Sequence, residues 1–112
     1  MESHEYRTIF KIFFELPIAM KIELIIYDFD GVLTDNRALL FEDGSEAVFI
    51  NRSDGIAISK IKELGIRQII VSTEEKNNVL TRGKKLEILA YNKINDKKSF
   101  VKSYVTKNNI DL

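Results

Sequence analysis

The sequence predicts an α/β fold with a parallel sheet and an inserted β-hairpin. Short apolar runs rich in β-branched residues alternate along the chain with stretches that have helical spacing and helix-end signals. One further pair of apolar runs flanks an Asp-Gly turn, which predicts the hairpin. Strands that alternate with helices pair in parallel through right-handed crossovers. We therefore expect polar residues at the strand ends to meet at one edge of the sheet.

The first predicted strand covers residues 22–27, an apolar run that an Asp/Gly cluster ends. Such a run is typical of a buried parallel strand. The hairpin follows, with arms over residues 38–41 and 47–50 and a turn near Asp43-Gly44. Because a lone hairpin is only marginally stable, its apolar arms predict burial against another subunit.

A helix is predicted next, with Ser53 or Asp54 as its N-cap and Gly65 just beyond its end. A second buried strand follows over residues 66–71. The apolar face of the helix is predicted to consist of Ile56, Ile58, Ile61 and Leu64.

The rest of the chain continues the alternation of strands and helices. A second helix is predicted from Ser72 to about Leu86, since a serine and then two acidic residues are typical of a helix start. A third strand is predicted near residues 88–91, and a last helix over residues 97–107. One side of that helix is predicted to be apolar, with Phe100, Val101, Tyr104 and Val105.

The composition excludes several classes of function. Lys plus Arg and Asp plus Glu each number 17, so no net charge attracts the chain to nucleic acid or to an anionic membrane. The chain has no cysteine, which excludes a disulfide framework, a thiolate metal site and a cysteine nucleophile. The absence of cysteine is also compatible with a reducing compartment, and we expect a cytoplasmic location.

The first 19 residues differ from the rest, and we expect them to be a leader or linker of uncertain status. Met20 is followed at once by the first predicted strand, so the predicted domain covers residues 20–112. The apolar stretch at 9–20 is interrupted by Lys11, Glu15 and Pro17 and is shorter than the roughly 20 residues that a membrane span needs.

Two carboxylates stand directly after the first predicted strand. In an extended chain Asp28 and Asp30 point to the same side, and Gly31 then permits a sharp turn. Such close carboxylates repel each other unless a cation or a shared proton intervenes. This pattern predicts that one ligates a hard metal and attacks phosphorus, while the other exchanges a proton with the leaving oxygen.

Two further residues are expected at the same edge of the sheet. Ser72 ends the second predicted strand, where a hydroxyl and free helix N–H groups can bind phosphate. Lys97 begins the last helix, where an ammonium can neutralise the nucleophile and the phosphate. Adjacent Lys98 leaves the choice between the two lysines open.

Each of these residues also has an interpretation without catalysis. The segment from Asp28 to Asp35 can be an acidic turn, Ser72 an N-cap, and Lys97 a solvated surface charge. For the first of these, the apolar strand before it and the Gly-Val-x-Thr string after it favour the functional interpretation. A calcium-binding EF-hand loop is excluded because Gly31 stands two positions too early.

These residues together resemble the motifs of the haloacid dehalogenase (HAD) superfamily. Residues 28–34, Asp-Phe-Asp-Gly-Val-Leu-Thr, are similar to its first motif, Ser72 to its second, and Asp96-Lys97 to the lysine of its third. One subfamily contains 3-deoxy-manno-octulosonate 8-phosphate phosphatase, nine-carbon sugar-acid phosphatases and the phosphatase-like C-terminal domain of some acylneuraminate cytidylyltransferases. The strings that resemble this subfamily cover residues 49–58, 64–66, 71–74 and 82–88.

The resemblance implies a Rossmann-like core and a magnesium-dependent phosphatase of a sugar-acid phosphate that acts through an aspartyl-phosphate. Asp28 would attack, Asp30 would be the acid and base, and both would hold Mg²⁺. Thr34, Arg52 and Asp54 would lie near the substrate; for the last two, a surface charge and a helix cap are equally good interpretations. The hairpin would assemble a tetramer and help to cover a neighbouring subunit's site.

The chain departs from the family's pattern after residue 107. A fourth motif, which supplies a metal-binding carboxylate next to a further strand, should begin soon after the last residues. We therefore expect a fragment, incomplete at its C-terminus, with the first predicted strand at an exposed sheet edge. Two alternatives are a non-catalytic oligomerisation domain of a cytidylyltransferase and a phosphoacceptor receiver domain. The second is disfavoured because Asp28 and Asp30 stand in one strand-end string.

Overall fold

A computed structural model describes residues 22–110, so the expected leader at residues 1–19 lies outside the described part of the chain. The strands are β1 Leu24–Tyr27, β2 Thr34–Leu40, β3 Glu46–Ile50, β4 Arg67–Val71 and β5 Leu89–Tyr91. The helices are α1 Arg52–Glu63, α2 Asn78–Leu86 and α3 Lys97–Lys107.

The main sheet contains three parallel strands in the order β1-β4-β5. Both crossovers contain a helix, α1 before β4 and α2 before β5, so the predicted α/β fold with a parallel sheet is confirmed. The central strand β4 has a partner on each side, and its Ile69 and Ile70 are fully buried. Within residues 22–110 β1 lies at the edge, and Ile26 is 37% exposed. The first strand therefore lies at the exposed sheet edge that the lack of the fourth motif predicts, and it is less buried than its apolar run alone predicts.

The core lies between the sheet, α1, α2 and the loop after β1. Its central cluster consists of Phe29, Leu33, Ile58, Ile70, Val79 and Leu86. A polar network lies beside this cluster. In it the Tyr27 hydroxyl donates to Gln68 Oε1, and Gln68 Nε2 donates to the Ile58 carbonyl at 2.9 Å. This network joins β1, β4 and α1, and it satisfies the buried amide of Gln68.

The predicted hairpin is confirmed as the antiparallel pair β2–β3. Its turn is closed by a bond from Gly44 N to Phe41 O at 3.0 Å, and Gly44 has a φ of +87°, which favours glycine. Asp43 accepts bonds from the main chain and hydroxyl of Ser45. The first arm begins at Thr34, four residues earlier than predicted, and a register shift between Thr34 and Ala38 accompanies this extension.

The start of α1 differs from the prediction. Asn51, with an extended backbone, is the N-cap, and its Oδ1 accepts a bond from Ser53 N at 2.8 Å. Ser53 and Asp54 therefore lie inside the helix. Ile58 and Ile61 are buried as predicted, but Ile56 is 54% exposed. Gly65, with a φ of +76°, follows the helix as expected.

The second predicted helix begins six residues later than expected, at Asn78. Residues 72–77 form a loop because their polar side chains bond local amides: Ser72 Oγ accepts from Glu74 N at 3.0 Å, and Glu74 Oε1 accepts from Lys76 N at 3.0 Å. In contrast, α3 covers the predicted residues, and Asp96 caps it by accepting from Ser99 N. No helix between residues 22 and 110 has the length and apolar character needed to span a membrane.

Candidate active site

The loop after β1 forms a compact turn rather than an extended chain. Leu33 N donates to Phe29 O at 2.9 Å, and Gly31 has a φ of +79°. The Thr34 hydroxyl accepts from Gly31 N and Asn36 N at 3.2 and 3.1 Å, which fixes the return of the loop into β2. Phe29 is buried, whereas Asp28 on one side of it and Asp30 on the other are exposed. Both carboxylates therefore lie outside the core.

Lys97 reaches Asp28 across 69 residues of sequence. Its Nζ lies 2.9 Å from Asp28 Oδ1, and the same oxygen accepts a bond from Phe29 N at 2.8 Å. Within residues 22–110, no hydrogen bond or ion pair reaches Asp28 Oδ2. The Asp28 carboxylate is thus held by one oxygen and presents the other. The geometry also selects Lys97 over Lys98 as the lysine of this edge.

Asp30 is surrounded by other carboxylates. Partial burial is the largest cause that raises the pKa of Asp30 above its ordinary value. The charges of Glu74, Asp28 and Glu46 raise this pKa further, and only Lys97 acts in the opposite direction. Asp30 therefore keeps its proton to a higher pH than an ordinary aspartate, which is the property that a general acid needs.

Ser72 follows β4 at the same edge of the sheet. Tyr27 pairs with Ile70, so Asp28 and Ser72 stand just beyond the ends of neighbouring parallel strands. Ser72 N donates to Tyr91 O at 2.9 Å, and only 1% of the residue is exposed. The expectation that Ser72 begins a helix is wrong, because α2 begins at Asn78. Ser72 shapes the loop by accepting from Glu74 N, and among residues 22–110 its hydroxyl hydrogen has no acceptor.

Two of the three other predicted substrate residues line a pocket that does not contain Asp28 or Asp30. Thr34 and Asp54 line this pocket of about 240 Å³, together with Asp35, Asn51 and apolar residues of β3 and the loop after β1. Burial raises the pKa of Asp54 above its ordinary value. Arg52 is exposed at the first position of α1 and does not line this pocket. The structure therefore brings two of the three residues together.

A second pocket, of about 190 Å³, contains residues that the sequence did not single out. Asp30 lines it, together with Asn36, Glu46, Glu74 and Asn78. Glu74 stands two residues after Ser72, a spacing that hints at a common location. Glu46 and Asn78 had no such signal, because their position depends on how the hairpin folds against the loop after β4.

The donors at this edge suit a hard divalent cation. Asp28 and the Asp30 main chain offer oxygen ligands, and Mg²⁺ uses one or two carboxylates with water and phosphate. No group of three His, Cys, Asp or Glu side chains that could hold a metal occurs in the described residues. The described residues thus offer oxygen ligands for a divalent metal ion but do not form a complete set of ligands by themselves.

Comparison with solved structures matches this fold closely. A protein described as a HAD family hydrolase from Streptomyces avermitilis is 36% identical over 85% of this chain, with a TM-score of 0.77. A protein described as a YrbI family phosphatase from Pseudomonas syringae is 32% identical over 80%, with a TM-score of 0.76. Structures of HAD-family hydrolases thus match this chain in both fold and sequence. The fold predicted from the resemblance is confirmed.

A third HAD structure, 3-deoxy-D-manno-octulosonate 8-phosphate phosphatase from Moraxella catarrhalis, is 27% identical over 81% of this chain, with a TM-score of 0.76. That protein was solved in complex with a magnesium ion, a phosphate ion and KDO. The present chain spans 55%, 51% and 53% of the three matched structures, about half of their length. No protein-family model and no curated protein matches the sequence.

Proposed function

We propose that this chain carries the nucleophile half of a magnesium-dependent phosphatase whose substrate is a sugar-acid phosphate of octulosonate or neuraminate type. The observation that carries the proposal is the pair of Asp28 and Lys97 at the carboxyl end of a parallel sheet of the HAD superfamily. Asp30 stands two residues further on, so a nucleophile, a cation and an acid share one edge.

In the first half-reaction Asp28 Oδ2 attacks the phosphorus atom. The bond between phosphorus and the ester oxygen breaks, and Asp30 donates its proton to the leaving alkoxide. Lys97 and the Phe29 amide hold Oδ1, which orients the free oxygen. The products of this step are the alcohol and an aspartyl-phosphate on Asp28.

In the second half-reaction water attacks the phosphorus of the aspartyl-phosphate. Asp30, now a carboxylate, accepts a proton from this water, and the bond between phosphorus and Oδ2 breaks. Phosphate leaves, and both carboxylates return to their starting states. Ser72 and Lys97 are the proposed phosphate-binding groups, and Lys97 also balances the charge on Asp28.

Asp28 and the Asp30 main chain are the proposed protein ligands of magnesium. The ion, when bound, offsets the negative charge on the transferring phosphoryl group. Because the described residues supply few ligands, we expect weak magnesium affinity for the 112-residue chain. Thr34, Arg52 and Asp54 remain proposed contacts to the distant part of the substrate.

The substrate class is supported by two observations. HAD structures that share this fold include octulosonate 8-phosphate phosphatases. The second is a resemblance: the string Ser72-Thr73-Glu74 stands where the octulosonate enzyme has Thr-Gly-Arg, and it is more similar to the neuraminate-type branch. Both classes of sugar acid carry hydroxyl groups next to the phosphate ester.

A second candidate function is a non-catalytic oligomerisation domain. The exposed apolar residues of the hairpin favour it, since such surface is typical of an interface. An oligomerisation domain would not need the ion pair of Lys97 with Asp28.

Phosphate release tests the proposal. We expect the 112-residue chain to be slow with octulosonate 8-phosphate and a nine-carbon sugar-acid phosphate, and a longer chain that continues through a fourth motif to be fast with magnesium. Asp28→Asn in the longer chain should abolish turnover, while Asp43→Asn, at an exposed aspartate of the hairpin turn that lines neither pocket, should leave it unchanged. An Asp28→Asn variant as active as its parent contradicts the mechanism, and fast turnover by the 112-residue chain contradicts only the argument about metal ligands.

A further inference from the structure

The loop before α3, residues 92–96, leads to Lys97 and is bonded to the loop after β4. Ser72 stands at the junction of the two loops. Its main-chain N donates to Tyr91 O at 2.9 Å, and its carbonyl accepts from Ile94 N at 3.0 Å. The main chain of Ser72 is therefore held on both sides by the segment that leads to Lys97. The two proposed phosphate-binding groups thus belong to one hydrogen-bonded unit.

Lys93 makes a turn in this loop that lysine rarely makes. Its φ is +58°, in the left-handed region that glycine and asparagine tolerate and that other residues adopt at a cost. Lys93 N donates to Glu74 O at 3.0 Å, next to the bond of Ile94 N. The side chain of Lys93 is exposed, and among residues 22–110 it has no hydrogen-bond or ion-pair partner. The bonds of the main chain, rather than contacts of the side chain, therefore maintain this conformation.

The start of α3 depends on this loop more than the rest of the helix does. Phe100 and Tyr104 pack on Tyr91 of β5, with ring centroids 4.8 and 6.2 Å away, and so hold the middle of α3. Lys97 stands one turn earlier, at the first position of the helix. Its side chain is a flexible four-carbon stem. The distance of 2.9 Å from its ammonium to Asp28 therefore depends on where the loop places its main chain.

We propose that Lys93 is a positioning residue, whose left-handed turn holds the loop before α3 on the loop after β4 and so places the Lys97 ammonium against Asp28. The inference rests on the proposed function and adds a residue that acts through Lys97. In this role the main-chain conformation of Lys93 matters and its positive charge does not. A lysine that attracted phosphate directly would act through its charge. The two roles therefore respond differently to a substitution that removes the charge and preserves the turn.

Two substitutions of Lys93 in the 112-residue chain separate the turn from the charge. Lys93→Asn and Lys93→Val both remove the charge, but asparagine adopts the left-handed conformation readily and β-branched valine seldom does. Calorimetric titration gives the dissociation constant of inorganic phosphate. We expect Lys93→Asn to bind phosphate like the parent. Lys93→Val should bind it about threefold to tenfold more weakly, because affinity falls with the fraction of molecules that keep the turn.

Three further measurements distinguish positioning from a general loss of structure. Glu87, with a φ of +59°, makes the same kind of turn at the other end of β5, so Glu87→Val should lower the urea midpoint and leave phosphate affinity unchanged. In the Lys97→Met background, Lys93→Val should cause no further loss of affinity. Without ligand and at constant pH, Lys93→Val should shift the carbon-13 signal of the Asp28 carboxylate in the same direction as Lys97→Met does.

The urea midpoint also shows whether the valine variant is folded. Lys93→Ala, which disfavours the same turn less strongly, replaces it in every measurement if it is not.

The outcomes separate this inference from the proposed function. If the parent chain does not bind inorganic phosphate, the proposed function fails, and the Asp28 carbon-13 signal still decides whether Lys93 positions Lys97. If Lys93→Asn loses as much affinity as Lys93→Val, the charge is what matters and the inference is wrong. It is also wrong if Lys93→Val leaves the Asp28 signal in place, or if Lys93→Val weakens binding equally with and without Lys97.

Discussion

At the scale of single residues, the contact of Lys97 with Asp28 distinguishes Lys97 from its neighbour Lys98. We expect Lys97→Met to weaken the binding of inorganic phosphate at least about tenfold, because charge-assisted hydrogen bonds to phosphate are among the strong ones. Lys98→Met is the matched control and should bind phosphate like the parent. Calorimetric titration measures both. Equal losses in the two variants would contradict the assignment of Lys97.

Lys97→Met should leave folding almost unchanged. Both partners of the ion pair are substantially exposed, and exposed pairs contribute only about 0–1 kcal/mol to the free energy of unfolding. A large fall in the urea midpoint would mean that the loss of phosphate binding reports unfolding.

The hydroxyl of Tyr27 predicts a dependence of stability on pH. Burial, and then the charge of Asp54, raises the pKa of Tyr27 to about 12. The unfolded chain ionises near pH 10, so this contribution to stability is complete below pH 10 and is lost as the pH rises to 12. The Tyr27→Phe variant lacks this pH-dependent contribution to stability. It also leaves the Gln68 oxygen without its donor, which lowers the free energy of unfolding by about 1–3 kcal/mol.

We therefore expect Tyr27→Phe to be less stable than the parent at pH 8 and the gap to narrow between pH 10 and 12. Urea unfolding at several pH values measures this. Tyr104→Phe is the control, because within residues 22–110 the Tyr104 hydroxyl has no hydrogen-bond partner. A gap that widens with pH would contradict the raised pKa.

The residues that meet at the site could be predicted where local sequence places them. Asp28 and Ser72 each follow an apolar strand run, and parallel strands bring such positions to one edge. Glu46 and Asn78 could not be predicted, because they meet only through the fold of the hairpin onto the loop after β4. The contact that selects Lys97 over Lys98 likewise depends on the placement of α3.

At the scale of elements, the absence of a side chain at Gly83 allows α2 to pack closely on β5. A Cβ at this position would lie 2.5 Å from Ala90 Cβ and 3.1 Å from Ile88 O. We expect Gly83→Ala to lower the free energy of unfolding by about 1–3 kcal/mol, as overpacking does. Gly55→Ala meets only Leu86 Cδ2 at 3.7 Å and should raise stability by about 0.5–1 kcal/mol.

Urea midpoints measure both glycine variants. A Gly83→Ala variant as stable as its parent would show that the helix can move away from the strand at little cost. The Gly55→Ala variant also tests whether the glycine in α1 is required for stability or only tolerated.

The element boundaries show why some predictions failed. The start of α2 was misplaced because Ser72 and Glu74 can bond amides in a turn as well as at a helix start, and the sequence does not distinguish the two. The start of α1 was displaced for a similar reason, since Asn51 and Ser53 are both good N-caps. In α3, by contrast, Asp96 caps the helix by accepting from Ser99 N, and the helix matched its prediction.

At the scale of the whole molecule, the hairpin predicts self-association. We propose that a second copy of this chain covers its apolar surface, because Leu40 is 69% exposed and four other large apolar residues of the hairpin are exposed as well. These are Leu39, Phe41, Phe49 and Ile50. Leu40→Lys should lower the mass seen by light scattering. Leu89→Lys, at a similarly exposed leucine on β5, is the control, and a monomeric parent would contradict the proposal.

The wide separation of β1 and β4 in sequence also orders events during synthesis. Tyr27 must wait for Gln68, 41 residues later, which takes roughly 2 to 8 s at ribosomal rates of 5–20 residues per second. During that interval the Thr34–Leu40 and Glu46–Ile50 strands can already join, since closing a short loop costs little entropy. The nascent chain can therefore form the hairpin before Lys97 is available to pair with Asp28. If two ribosome-bound copies of the chain met at this stage, the hairpin would be the folded element through which they associate.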